Sequence, residues 1–437
     1  MVASRQLSRW RRSAAASALC LSALLVTAAV LVGGAATAAP WTALQAIPIP
    51  VKQHAAVWKV VGNPIAPQDL VAATSRGVWI SADDGKTWAT TSVTGFTWAV
   101  AFADAGATLY AGTVAGGIYR SIDGGQTWKQ ENAGLHSRDV RAIAVGPTAI
   151  VLGTQAGVYV SGDGTAWEQA GLNALSISSV AIIADNPLGV VAGSDETAQA
   201  VNLYRSLAVG AASGWQALPG GDPGGSPVFS LAAGPIVKGG TVPPLMVGSL
   251  KGLYYSSDGG NSWQARTLAG GALWSVDAIA FDPDNPAVIY VGGDNGGSSG
   301  GGLQRTINGG SSWAAFEQGL PSREVTGLSA LSTDPLTVLA SVWHPIRRVG
   351  GSARALDTTA PGPVALASTT GTPISVVVSP TPKSTSTPRP HHSAAGKGGS
   401  ISAGLVIALV AILVVVVIAL LILVRRRRRR LDAEAPP

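Results

Sequence analysis

Cysteine and charge are both scarce in this sequence: one cysteine in 437 residues, and charged side chains at 12%. The thiol, Cys20, lies inside an apolar N-terminal segment, so a chain trimmed of that segment has no disulfide and no thiol chemistry. Leu19 stands before it where a lipoprotein signal needs a small residue, which argues against lipidation. The formal net charge of +6 suggests a basic surface only until the charges are located. Arg5, Arg9, Arg11 and Arg12 lie at the N-terminus, and six arginines occupy 425–430. Taking these ten from 30 Lys and Arg leaves 20, and taking Asp432 and Glu434 from 24 acidic residues leaves 22. The intervening chain is slightly acidic, so nucleic acid is not an expected partner.

Other signatures are missing too. The Gly-rich stretch 292–302 has no Gly-Lys-Ser/Thr and opens no helix, so it is no phosphate cradle. There is no His/Asp/Glu cluster with metal spacing, and no metal or cofactor is expected. His54, His136 and His344 sit in no recognisable triad motif, and His391-His392 reads as part of a solvated segment.

Both ends carry membrane signals. Residues 1–12 are basic, 13–34 are largely apolar, and Ala36-Thr37-Ala38 supplies small residues for cleavage before Ala39. This reads as a signal peptide over 1–38, with an uncleaved signal anchor as the competing reading. Residues 401–424 form a 24-residue run without charge. As a helix it would be about 36 Å long, enough to cross a hydrocarbon core of about 30 Å. The arginines that follow, in a tail over 425–437, would hold the C-terminus in the cytoplasm. The expected localisation is the cell membrane, single-pass, with the lipid bilayer as a partner and the rest of the chain extracytoplasmic. Between about 358 and 400 the sequence is rich in Ser, Thr and Pro and has few large apolar residues. It cannot bury enough surface to offset its ordering entropy, and reads as a disordered stalk.

What fills 39–357 is a repeat. Ser81-Ala82-Asp83-Asp84-Gly85-Lys86-Thr87-Trp88 recurs with Asp123 and Trp128, with Asp258 and Trp263, and with Asn308 and Trp313. Two degenerate copies hold Asp163 and Trp167, and Arg205-Ser206 with Gly214-Trp215. Successive Trp spacings are 40, 39, 48, 48 and 50, the length of a four-stranded propeller blade. Ser and Asp can accept bonds from backbone N–H groups one or two residues on, glycine supplies a conformation that a β-carbon penalises, and Trp covers the turn. One carboxylate per copy is too few oxygens for calcium. Three strand-like runs flank the phrase, seven copies of the first two and a weaker seventh of the third. Trp41-Thr42-Ala43-Leu44 resembles Trp215-Gln216-Ala217-Leu218, so the N-terminus is expected to complete the last blade. The fold expected is an all-β, seven-bladed propeller, with six blades as the fallback.

The Ser-x-Asp-x-Gly-x-Thr-Trp phrase resembles the Asp-box, or BNR, repeat over about 317 residues. Propellers of this kind include sialidases, the lumenal domain of sortilin, xyloglucan-cleaving hydrolases and a photosystem II assembly factor. The resemblance implies a structural role for the boxes on the periphery, away from the active face. The Phe/Tyr-Arg-Ile/Val-Pro motif of sialidases is absent; Arg389-Pro390 lies in the stalk. Asp139, Asp195, Glu196, Asp222, Asp294 and Glu324 are expected in upper-face loops, where two could serve a glycosidase if they converge. Arg138-Asp139 and Arg323-Glu324 read as solvated ion pairs where strands begin. No catalytic residue is assigned. A binding or assembly module for a protein or glycan is the leading reading, and a membrane-tethered glycoside hydrolase the alternative. Aligning the innermost strands gives the candidate ligand site: their second positions read Trp58, Trp98, Arg141, Ser178, Phe229, Asp277 and Thr326. The competing reading packs the aromatics between blades and uses Arg141 and Asp277 as strand caps.

Overall fold

Each repeat holds three runs rich in Val, Ile, Leu and Ala and one short polar run, a pattern that buries three strands and leaves the fourth exposed. We obtained a computed structural model describing residues 41–364, except 50–55, 104–105, 198, 210–213, 219–224, 271–274, 295–300, 345–348, 358–359, 361 and 363. In it each repeat is one antiparallel four-stranded sheet, and there are seven such sheets. Blade 3 is typical: Val140–Val145 is innermost, followed outwards by Ile150–Thr154, Gly157–Ser161 and Glu168–Gly171. The innermost strands of the other blades are Val57–Gly62, Thr97–Ala103, Ile177–Asp185, Val228–Ala233, Ser275–Asp282 and Glu324–Leu331. No helix occurs among the described residues.

The seventh blade decides between seven and six. Its outermost strand is the N-terminal Trp41–Ala43, paired antiparallel with Val349–Asp357 so that Trp41 stands opposite Ala355. Trp41 is buried, lies edge-on to Phe316 at 5.9 Å between centroids, and donates its indole N–H to the Phe316 carbonyl. Blades 7 and 1 are joined by an ion pair from Arg354 to Asp84 and by the Thr326 hydroxyl, which donates to the Val57 carbonyl at 2.8 Å. Closure leaves no open sheet edge between first and last blades.

Between blades the backbones approach closely at glycines of the second strands. A β-carbon on Gly153 would lie 2.8 Å from Ile177 of blade 4, and one on Gly292 would lie 2.5 Å from Val325 of blade 7. Gly112, Gly193 and Gly248 meet Val140, Val228 and Val276 in the same way.

The recurring phrase forms the turns at the lower ends of the third and fourth strands. The Ser81 hydroxyl accepts from the Gly85 N–H at 2.9 Å, while the Asp83 carboxylate accepts from the Thr87 N–H at 2.8 Å and its hydroxyl at 2.6 Å. Asp123, Asp258 and Asn308 repeat the contact to the backbone four residues on, and Asp163, in the shorter copy, reaches two. The expected span of two residues holds for the Ser or Thr hydroxyl, which accepts from the N–H of the Asp or Asn two residues on, whereas the carboxylate or amide of each full-length copy reaches four residues and bridges the whole loop. The Trp residues close these turns: the indoles of Trp88, Trp128 and Trp167 donate to the carbonyls of Gln45, Gly125 and Glu131, and Trp263 and Trp313 pack on core clusters. In blade 4, which lacks the carboxylate, Arg205 instead reaches into the blade 5 turn, donating to the Gly259 carbonyl at 2.9 Å.

The chain leaves the ring by the lower face, where the Val364 N–H donates to the Asp284 carbonyl and Asn285 to the Gly362 carbonyl. Residues 360, 362 and 364, expected in the stalk, are thus described beside blade 6. The leader at 1–38, the apolar run at 401–424 and the basic tail lie outside the described residues, among which no helix is long and apolar enough to cross a membrane.

Candidate ligand site at the channel mouth

All seven innermost strands begin with the same irregularity. The register against the second strand shifts across the aligned second position in every blade, from Val57/Lys59 through Val140/Ala142 to Val276/Ala278 and Val325/Gly327, the last two one residue inside their strands. The second-position residue is therefore the extra residue of a β-bulge in each case, a device that re-aims a side chain out of the ladder. A regular strand would send positions two and three to opposite faces. The bulge turns both towards the channel: Trp58 with Lys59, Trp98 with Ala99, Arg141 with Ala142 and Asp277 with Ala278 all line one cavity.

That cavity, at the upper mouth of the channel, has a volume of about 740 Å³ and collects all seven second positions. Of the five residues singled out as ligand-binding candidates, Trp58, Trp98, Arg141, Phe229 and Asp277, every one lines it. Trp58, Trp98 and Phe96 form a mutual cluster, with centroids 5.1 Å apart for Trp58–Trp98, 5.6 Å for Trp58–Phe96 and 4.6 Å for Phe96–Trp98. Trp58 of blade 1 thus packs against Phe96 and Trp98 of blade 2, so this cluster bridges two neighbouring blades, as the competing reading held, while also lining the cavity. The indole N–H groups of Trp58 and Trp98 are buried without a hydrogen-bond partner.

Arg141 is fixed in place. It donates to Asp139 at 3.1 and 3.2 Å, and its Nη1 reaches Asp195 at 2.7 Å and the Ser176 hydroxyl at 2.8 Å. Asp139 thus pairs with Arg141, and Arg323 pairs with Glu317. Asp277 accepts from the Ser275 hydroxyl at 2.5 Å. Burial, with further repulsion from Asp294 and Glu324, pushes its carboxyl up to about 6. Below the mouth, burial lowers the Lys59 ammonium, which lines both this cavity and a smaller one of about 270 Å³ further down the channel.

Of the upper-face acids expected from sequence, Asp195, Asp294 and Glu324 line the cavity, and Glu196 instead accepts from the Ser176 N–H at 3.0 Å. Asp222 lies outside the described residues. Phe96 and Trp343 also line the mouth and escaped the strand alignment. Phe96 precedes its innermost strand and Trp343 sits on a second strand; an aromatic next to the Thr97-Trp98 pair was the available signal for Phe96. Among the described residues no group of three or more His, Cys, Asp or Glu could hold a metal ion.

The fold and its mouth define a seven-bladed β-propeller with a wide upper cavity. No protein-family model matches this chain, and no curated protein matches it in sequence. Solved structures resemble it in fold. The extracellular domain of a hybrid two component system from B. thetaiotaomicron aligns with a TM-score of 0.52 at 14% identity, covering 71% of this chain and 39% of that one. A GH74 xyloglucanase from Xanthomonas campestris aligns at 0.51 and 17% identity, covering 71% and 55%. YCF48 from Cyanidioschyzon merolae aligns at 0.50 and 14% identity, covering 72% and 98%. This chain thus spans well under two thirds of the first two proteins, and at these identities the likeness is one of fold.

Proposed function

We propose that this chain is a cell-surface binding or assembly module of Asp-box type, which engages a protein or glycan ligand through its upper channel mouth. In this reading residues 1–38 direct export, 401–424 hold the chain in the bilayer and 425–437 lie in the cytoplasm. The observation that supports it most is the placement of seven bulge residues, aromatic, cationic and anionic, around one cavity of about 740 Å³. Small-ligand sites combine apolar walls with a few placed polar groups in volumes of about 300–1,000 Å³. The chain leaves the ring on the opposite, lower face, so a stalk would not cover the mouth.

A second reading, a glycoside hydrolase, has one favourable observation: Asp277, at about 6, is suited to proton donation beside Asp294 and Glu324. One experiment tests both. Cells displaying the full chain, with intact membranes, are treated with protease, and the solubilised full chain is assayed on immobilised glycans and peptides and on xyloglucan and sialosides for cleavage. Release of the propeller from the cell surface, with binding lost in Trp98→Ala at an unchanged Tm, is expected. Full protection from protease would overturn the topology, and cleavage abolished by Asp277→Asn would replace the binding reading with the hydrolase.

A further inference from the structure

Resting on the reading of the mouth as a binding site, we infer that the Lys59 amine, at the floor of that mouth, captures a ligand bearing an aldehyde or ketone by forming an imine with it. The first ground is the ring that Lys59 interrupts. In blades 2 to 7 the residue after the bulge is Ala99, Ala142, Ser179, Ser230, Ala278 or Gly327, whereas in blade 1 it is lysine. All seven line the mouth. Crowding near the axis accounts for the six small residues, but it gives no reason for one long side chain with an amine at its end.

The second ground is what surrounds that amine. The upper and lower cavities share Lys59, Ile143, Val180, Leu231, Ile279 and Leu328, so the lysine stands in an otherwise aliphatic collar. Among the described residues lining the lower cavity, it is the one titratable group. Part of Lys59 stays open to the channel, yet enough protein surrounds it for burial to lower the ammonium. An apolar enclosure disfavours the charged form, and the neutral amine is the form that attacks carbonyls.

The step needs no reagent besides the ligand. The Nζ lone pair attacks the carbonyl carbon, a C–N bond forms, and the C=O π pair moves to oxygen, which takes a proton from nitrogen. The resulting carbinolamine loses its hydroxyl and the remaining N–H proton as water, leaving a C=N bond. The amine thus selects the carbonyl, and the collar selects apolar substituents beside it.

The test uses the full chain in detergent micelles, given limiting benzaldehyde with cyanoborohydride, which reduces the imine to a stable benzylamine. Peptide mapping then compares Lys59 with the exposed Lys86 and Lys238 of the same chain. Labelling of Lys59 about tenfold faster than of either reference is expected, and the preference should vanish in guanidinium, where the enclosure is lost. Ile279→Glu sets a carboxylate in the collar and should bring labelling of Lys59 down to the reference rate. If that variant fails to fold, the comparison within the unmodified chain decides the matter. Labelling of Lys59 no faster than of Lys86 and Lys238 would overturn this inference. Retention on glycans or peptides that is lost in Trp98→Ala would then leave the binding reading standing. Benzoate binding lost in Lys59→Met and kept in Lys59→Arg, with no labelling preference, would replace the carbonyl by an anion. No labelling preference and no retention on any probe would overturn both readings.

Discussion

Asp83 and Asp277 show how one residue type is driven in opposite directions by its place in a blade. At the lower turn, the Thr87 hydroxyl and then its N–H, both donating to the carboxylate, hold Asp83 at about 2; Thr127 does the same for Asp123. At the upper mouth, burial raises Asp277 to about 6, and burial raises Asp282 to about 6 at the lower end of the same strand. The first kind, with folded values depressed, stabilises the fold above the unfolded value near 4 and loses that contribution as pH falls towards 2. The second kind, with folded values raised, favours the fold at low pH and loses that contribution as pH rises from about 4 to about 6. Tm of the full chain, followed by circular dichroism, should therefore peak near pH 4 and decline on both sides. Asp277→Asn should flatten the decline on the neutral side; a Tm rising steadily from about pH 4 to 7 would contradict the assignment.

At the scale of the element, the innermost strand and the glycine facing it do most to set the architecture. Gly292 stands opposite Ala278 and leaves no room for a β-carbon against Val325 of the next blade. Gly292→Ala should cost about 1–3 kcal/mol in denaturant unfolding, the usual penalty of overpacking. Gly95, with nothing within 4 Å of a β-carbon, serves as the control, and Gly95→Ala should leave the midpoint nearly unchanged. The strands themselves were legible in sequence because their runs repeat at blade spacing. The bulges were not. Alternation in the sequence assigns Trp58 and Lys59 to opposite faces, and only pairing with Leu70–Thr74 reveals the shift that brings both to the channel. Aligning the strands found the ring of second positions without the reason for it. Phe96 and Trp343 stayed hidden because they reach the mouth from outside the aligned strands.

For the whole molecule the decisive contact is the closure of blade 7 by Trp41–Ala43. Trp41 fills the position that a Trp takes after the turns of other blades and is 3% exposed. Trp41→Ala should destabilise the ring by about 3–5 kcal/mol, as large-to-small core changes do, whereas truncation of the Ser/Thr/Pro segment at 379–388 should leave Tm unchanged. Equal effects of the two changes would remove closure as a source of stability. The sequence by itself determined the repeat, its length, the turn chemistry at Asp83, Asp123, Asp163, Asp258 and Asn308, and the N-terminal strand that makes seven blades, since these follow from local spacing and side-chain type. Tertiary structure alone decided which acids meet, that Asp139 serves Arg141, and that aromatics from blades 1 and 2 stand beside carboxylates of blades 6 and 7. Arg141 and Asp195 come from different blades, and the aromatics and carboxylates of the mouth lie far apart in the chain, so that only ring closure brings the first blades beside the last.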